Sequence, residues 1–300
     1  MNEFRPRWSE DWRGIIEQVR QLGPDRTRLM LEEMKTYQPK GQPRFKAEHI
    51  LELPIGVVKR GIATGCNHYP FNNAAYHLSL VELTKHVKPD FFVFAGDVLD
   101  CFSVSAHNRG QWDMPGYTLK DEYDETNLRL DEVCDVLPDA CEKIFIEGNH
   151  ENRIRRFQAS VDNAKLGGAL TDYIAGLRLI ERGFNCLAPY KEAQLFIGDL
   201  IVLHGLYTNA NAGKTHLEKL GQSCLFFHTH KFQTYSGRQG TAYNCGGGGD
   251  WDNAAFYYAA KPARADWSNG AAVIDLHENG KTVVTPLEYD GQFWFEGKKF

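Results

Sequence analysis

Apolar positions along this chain recur with two different periods, and the switches between them mark out its elements. Trp12, Ile15, Ile16, Val19 and Leu22 fall at helical spacing behind Ser9, a residue suited to cap a first turn. Gly23-Pro24-Asp25 breaks that pattern, and residues 26–37 predict a second helix with Leu29, Met30 and Met34 inward. Pro39, Gly41 and Pro43 then mark a linker, so residues 1–50 form a helical appendage and 51–300 a single catalytic-sized domain. In that domain helical spacing returns over residues 73–87, with Ala74, Leu78 and Val81 on one face and Pro89 as the stop. It returns again over residues 121–137 through Tyr123, Leu130, Val133 and Leu137, ending at Pro138. Between the two, Phe91-Phe92-Val93-Phe94-Ala95 is apolar without a break, the mark of a strand buried on both faces. Residues 61–64, 143–146, 200–203 and 225–227 are further strand-like runs, and another helix begins near Asn152. Such alternation is βαβ wiring, which requires right-handed crossovers in a largely parallel sheet. Later, Gly198-Asp199, Asn279-Gly280 and Asp290-Gly291 are turn signals between strand-like runs, which points to a second sheet packed on the first. The Gly246 to Gly249 run reads as a flexible loop, with a backbone approach to substrate as the alternative.

Composition narrows the class without naming a chemistry. Three hundred residues can bury a sizeable core, and a formal charge of -5 gives no general attraction to nucleic acid or an anionic membrane. No stretch approaches the roughly twenty apolar residues of a membrane span. Residues 1–12 lack the apolar core of a signal peptide. The seven cysteines are scattered, with no short-spaced pair, which suits a reducing cytoplasm.

The chemistry lies where the predicted strands end. Four short motifs follow apolar runs in order: Gly96-Asp97-Val98-Leu99-Asp100, Gly148-Asn149-His150-Glu151, Leu203-His204-Gly205 and His228-Thr229-His230. Asp, Asn and His carry the oxygen and nitrogen ligands that divalent transition metals favour. Ligands at the carboxyl ends of neighbouring strands converge on one crevice, where open α/β sheets keep their sites.

The ordered set resembles the calcineurin-like metallophosphoesterases, whose pattern is D-x-H, G-D-x-x-D, G-N-H-[DE], a His before Gly, and G-H-x-H. The resemblance runs from about Leu53 to the C-terminus. Ser103-Val104-Ser105 and Arg153-Ile154-Arg155-Arg156 look like the bacteriophage and prophage branch. It implies a four-layer αββα sandwich and a dinuclear site holding two divalent ions, whether manganese, iron or zinc. Carried over by motif, Asp97 bridges the two ions. His68 and His230 complete the first position, and Asn149, His204 and His228 the second. The family's D-x-H is here Cys66-Asn67-His68, so Cys66 stands where the Asp should be. Two readings of it stand side by side: a thiolate ligand with softer chemistry, or a neutral thiol that weakens the first position. Phe227 also replaces the usual Gly of the last motif and continues the strand.

His150 is implied to contact the phosphate or protonate the leaving oxygen. Asp100 is expected to order its loop or a ligand, and Glu151 to orient His150 or another ligand. Arg153 and Arg109 could hold phosphate oxygens bidentately, and His107 is a further substrate-contact candidate. Trp112, Tyr117, Trp251 and Trp267 could stack on a base. Histidines 49, 77, 86, 216 and 277 match no motif and default to surface or core roles. Cys101-Phe102 after the second motif, in place of Arg-Gly, counts against phosphoprotein substrates. The favoured expectation is a phosphodiesterase acting on nucleotides or nucleic acid, with no protein partner and no membrane. The alternatives are a phosphomonoesterase of small substrates, or a phosphate- or nucleic-acid-binding scaffold impaired by Cys66.

Overall fold

The computed structural model describes residues 48–105, 118–159 and 171–300, all within the compact unit Ala47–Phe300. The two N-terminal helices, the linker, His107, Arg109, Trp112 and Tyr117 lie outside the described residues.

The strands in chain order are β1 (Ile50–Leu53), β2 (Lys59–Thr64), β3 (Phe91–Ala95), β4 (Glu142–Ile146), β5 (Phe184–Leu187) and β6 (Gln194–Ile197). They continue with β7 (Leu200–Val202), β8 (Ser223–Phe226), β9 (Phe232–Gly237), β10 (Gly240–Cys245), β11 (Asn269–Leu276) and β12 (Thr282–Tyr289). The longer helices are α1 (Ala74–Val87), α2 (Leu119–Cys134), α3 (Glu151–Ala159) and α4 (Ala212–Leu220).

The strands form two six-stranded sheets, in the orders β12-β11-β2-β3-β4-β5 and β1-β6-β7-β8-β10-β9. In the first, β2 to β5 run parallel, while β11 and β12 add an antiparallel edge. Alternation along single strands shows why two sheets and two helical layers result. On β3, Phe92 and Phe94 join Leu80 and Leu83 of α1 and Leu130 and Val133 of α2 in one apolar cluster. Phe91, Val93 and Ala95 point the other way, into a second cluster with Leu195, Leu200, Val202 and Leu225 of the facing sheet. On β7 and β8, Ile201, Cys224 and Phe226 in turn meet Ala212 and Leu217 of α4 in a third. Three cores between four layers make the αββα sandwich. No helix among the described residues is long and apolar enough to cross a membrane.

Two local expectations are overturned. The buried face of α1 is Tyr76, His77, Leu80, Leu83 and Thr84, while Ala74 and Leu78 are exposed. Polar groups can face inward there because each has a partner: Tyr76 Oη meets Thr64 Oγ1 and donates to Gly270 O. His77 lies between Tyr69 Oη and Glu132. The second is the Gly246 to Gly249 run, which is an ordered backbone ladder rather than a flexible loop. Gly248 N donates to Cys66 O at 2.9 Å and its carbonyl accepts from Asn73 N at 2.9 Å. A Cβ on Gly248 would come 2.6 Å from the Tyr76 ring, so only glycine lets this segment pass.

Candidate metal centre

Every motif residue sits just past the carboxyl end of a strand, which is where parallel strands present their loops to one crevice. Cys66 and His68 follow β2, Asp97 and Asp100 follow β3, Asn149 to Glu151 follow β4, His204 follows β7, and His228 and His230 follow β8. The turns are locked together by backbone bonds. Cys66 N donates to Gly96 O at 2.8 Å, His68 N to Asp97 O at 2.9 Å and Phe227 N to His204 O at 3.0 Å.

The backbone here is held in an unfavourable conformation. Cys66, His68, Asp97, His228 and His230 all have positive φ, between 48° and 59°. Each such residue costs of order 1–3 kcal/mol, and strain of this kind gathers where geometry serves function. Gly148 shows how close the turns approach. A Cβ there would fall 2.3 Å from both the amide nitrogen and Oδ1 of Asp97.

Two groups of lone-pair atoms result. In one, His204 Nε2 lies 2.9 Å from Asn149 Oδ1, 3.1 Å from His228 Nδ1 and 3.2 Å from Asp97 Oδ2. His204 Nδ1 donates to Ala95 O, which leaves Nε2 bare toward these acceptors. In the other, His68 Nε2 and His230 Nε2 are 3.1 Å apart, and His68 Nδ1 donates to Asp100 Oδ2 at 2.8 Å. Cys66 offers its sulfur to both groups, within 4.8 Å of His68 and His230 and, separately, of Asp97 and His204. Acceptors facing acceptors repel unless a cation lies between them. Ligands about 2.0–2.1 Å from one tetrahedral ion stand about 3.3 Å apart, so the spacings fit a transition-metal site.

The electrostatics point the same way. Burial pushes the Asp97 carboxyl up, but His150, His204 and His68 outweigh it and hold the group well below the usual carboxylate range. Burial opposes a charge on His204, yet Asp97 raises its pKa. His228 is pushed down to about 3 by burial and by His204, and His230 is lowered by burial and His68. Neutral His228 and His230 beside an ionised Asp97 are the ligand forms that metals need, whereas His204 would give up on metal binding the proton that Asp97 favours.

The surrounding residues take specific roles. Glu151 does not hydrogen-bond the His150 ring, contrary to one of the roles expected for it. Its buried carboxylate accepts the backbone N–H of Asp97, Val98, Leu99 and Gly148 at 2.7–3.0 Å, tying two ligand turns to each other. His150 lies within 4.8 Å of His68 and Asp97, but both its ring nitrogens are engaged. Nδ1 donates to Asp100 O at 2.7 Å, and Nε2 accepts from Arg153 Nη2 at 2.7 Å. Arg153 also donates to Asp100 O. Arg155 is neutralised by Glu147 and Asp172, so Arg153 to Arg156 is not an open basic face. Trp251 and Trp267 do not stand free to stack on a base. Trp251 stacks on His230 with centroids 4.6 Å apart, and Trp267 meets the same ring edge-on at 4.4 Å.

Two residues near the centre carry no sequence motif. Tyr190 packs its ring against His204 and His228, with centroids 5.9 and 6.5 Å away. Buried Glu147 holds it, accepting from Tyr190 N and Tyr173 Oη. The one available signal was position, since both lie at strand ends like the ligands. The centre is also lopsided: Cys66, His68 and His230 are buried, whereas Asn149 and His228 are half-exposed.

The model of the family described as calcineurin-like phosphoesterase matches residues 61–278, well over half of the chain. No curated protein matches the chain. Similar solved structures include Vacuolar Protein Sorting 29 from Cryptosporidium parvum, 12% identical over 81% of this chain and 95% of that one, with a TM-score of 0.43. An archaeal phosphodiesterase is 13% identical over 76% and 99%, with a TM-score of 0.38. The phosphoesterase YfcE from E. coli is 14% identical over 76% and 98%, with a TM-score of 0.33.

Proposed function

The chain belongs to the calcineurin-like phosphoesterase family, and on that premise we propose that it is a two-metal phosphodiesterase acting on nucleotides or nucleic acid. The observation that carries the reading is the convergence of Asp97, Asn149, His204 and His228 on one point through lone-pair atoms 2.9–3.2 Å from His204 Nε2. Manganese, iron or zinc ions bound there would act as Lewis acids and lower the pKa of water toward neutrality.

This chain's own residues do the rest. Asp97 lies against the imidazoles of both groups and would hold the ions of both. His68 and His230 serve the first position, and Asn149, His204 and His228 the second. Asp100 fixes the tautomer of His68 by accepting from Nδ1, as outer partners of ligating histidines do. His150 spends its Nδ1 proton on Asp100 O, so Nε2 is the atom that, once it has taken a proton from water, meets a phosphate oxygen or passes that proton to the leaving oxygen. Arg153, held at Nε2, is placed to exchange that contact for a phosphate oxygen. The half-exposed Asn149 and His228 leave the second position as the side from which substrate arrives.

The test is hydrolysis of bis-p-nitrophenyl phosphate with added manganese, with Asp97→Asn purified in parallel. Metal-dependent turnover that is lost in the variant is the expected result. Turnover that is the same in Asp97→Asn would overturn the assignment, as would none with manganese, zinc or iron.

A further inference from the structure

We propose that Cys66 is a thiolate ligand of the first metal position, alongside His68 and His230, and that its sulfur makes this position prefer zinc-like ions to manganese or magnesium. The proposal rests on the two-metal reading above and deepens it.

Three observations carry it. The Cys66 sulfur and one nitrogen each of His68 and His230 lie within 4.8 Å of one another, a sulfur with two imidazoles, which is a zinc-type donor set. Second, the sulfur is engaged as an acceptor: His228 N donates to Cys66 Sγ at 3.1 Å. Amide bonds to sulfur are how proteins tune metal-bound thiolates. Cys141 and Cys186 donate to the carbonyls of Glu142 and Phe184, and among the described residues Cys66 is the one cysteine whose sulfur accepts a backbone N–H. Third, the fold fixes the residue from both sides. Its amide is bound to Gly96 O and its carbonyl to Gly248 N, which hold it in a left-handed conformation with a φ of +48°. A Cβ on Gly247 would come 2.9 Å from Cys66 Cβ, so the glycine run also leaves room for this side chain.

On binding, the sulfur–metal bond forms as the S–H bond breaks, and the proton leaves to water. Nothing is oxidised or reduced.

The experiment titrates cobalt(II) into the full chain after chelator treatment, reading the absorption spectrum. Wild type should show a near-ultraviolet sulfur-to-cobalt charge-transfer band together with weaker visible ligand-field bands. Cys66→Ser and Cys66→Asp should lose the charge-transfer band and keep visible bands from the remaining ligands. In a zinc–manganese competition, Cys66→Asp should lower the preference for zinc by at least about tenfold. Visible bands without charge transfer in wild type would overturn the proposal while leaving the two-metal reading standing, and so would a charge-transfer band that survives in both variants. No cobalt, zinc or manganese binding at all would overturn the underlying reading, and this proposal with it. Absence of the band in wild type overturns the proposal even if neither variant folds.

Discussion

Replacing Glu151 by Gln tests whether one buried carboxylate holds the metal centre in shape. Each carboxylate oxygen accepts two backbone N–H groups: Oε2 those of Asp97 and Gly148, and Oε1 those of Val98 and Leu99. A glutamine keeps one acceptor oxygen and turns an NH₂ toward the other two amides. Two buried N–H groups are then left unsatisfied at about 1–3 kcal/mol each. Removing a buried charge returns part of that, so the expected loss is about 3 kcal/mol of a total stability of about 5–15 kcal/mol. Because the amides belong to the turns that carry Asp97 and Asn149, metal affinity should fall by roughly 10–100-fold as well. The assay is urea denaturation of the metal-free protein, paired with calorimetric titration of manganese. A Gln variant within about 1 kcal/mol of wild type, with unchanged metal affinity, would refute the clamp.

Two further predictions follow from the same neighbourhood. Glu122 is buried and accepts the amides of Phe102 and Ser103, and burial together with Asp100 pushes its pKa up to about 7. A raised folded-state pKa contributes stability that is complete below the ordinary glutamate value and lost as pH rises through about 7. Relative to Glu122→Gln, wild type should therefore lose roughly 3 kcal/mol between pH 4.5 and 8 in denaturation experiments, and a flat difference would count against it. Gly148→Ala should lose metal binding, because its Cβ would fall 2.3 Å from Asp97 N and Oδ1; normal manganese uptake by calorimetry would show that the turns can part.

Sequence made the local half of this molecule legible. The unbroken run Phe91 to Ala95 announced a strand buried on both faces, and the ligand-type residues after the apolar runs lie close together in the fold. What it hid were polar groups satisfied by distant partners. Periodicity assigned α1 a face through Leu78, because nothing local reveals that His77 is matched by Glu132, 55 residues on. The amides that Glu151 holds at Asp97, Val98 and Leu99 lie 52 to 54 residues upstream, so its true bonding was not visible next to His150. Trp251 and Trp267 looked like free stacking surfaces because only the folded chain brings both against His230.

The strain and the unpaired lone pairs of this centre have one origin. Left-handed backbone at Cys66, His68, Asp97, His228 and His230 turns each side chain back over its strand end toward its neighbours. A chain selected for stability alone would relax these turns, since each costs of order 1–3 kcal/mol and brings acceptor against acceptor. The packing that prevents relaxation is specific: the Glu151 clamp, the glycine ladder against Cys66, and the indoles on His230. Each serves a different ligand turn. None of them supplies a hydrogen-bond donor to the lone pairs at the centre. The fold is therefore built to hold the ligands together before any cation arrives, and a cation held there would recover through coordination what the backbone gives up in the turns.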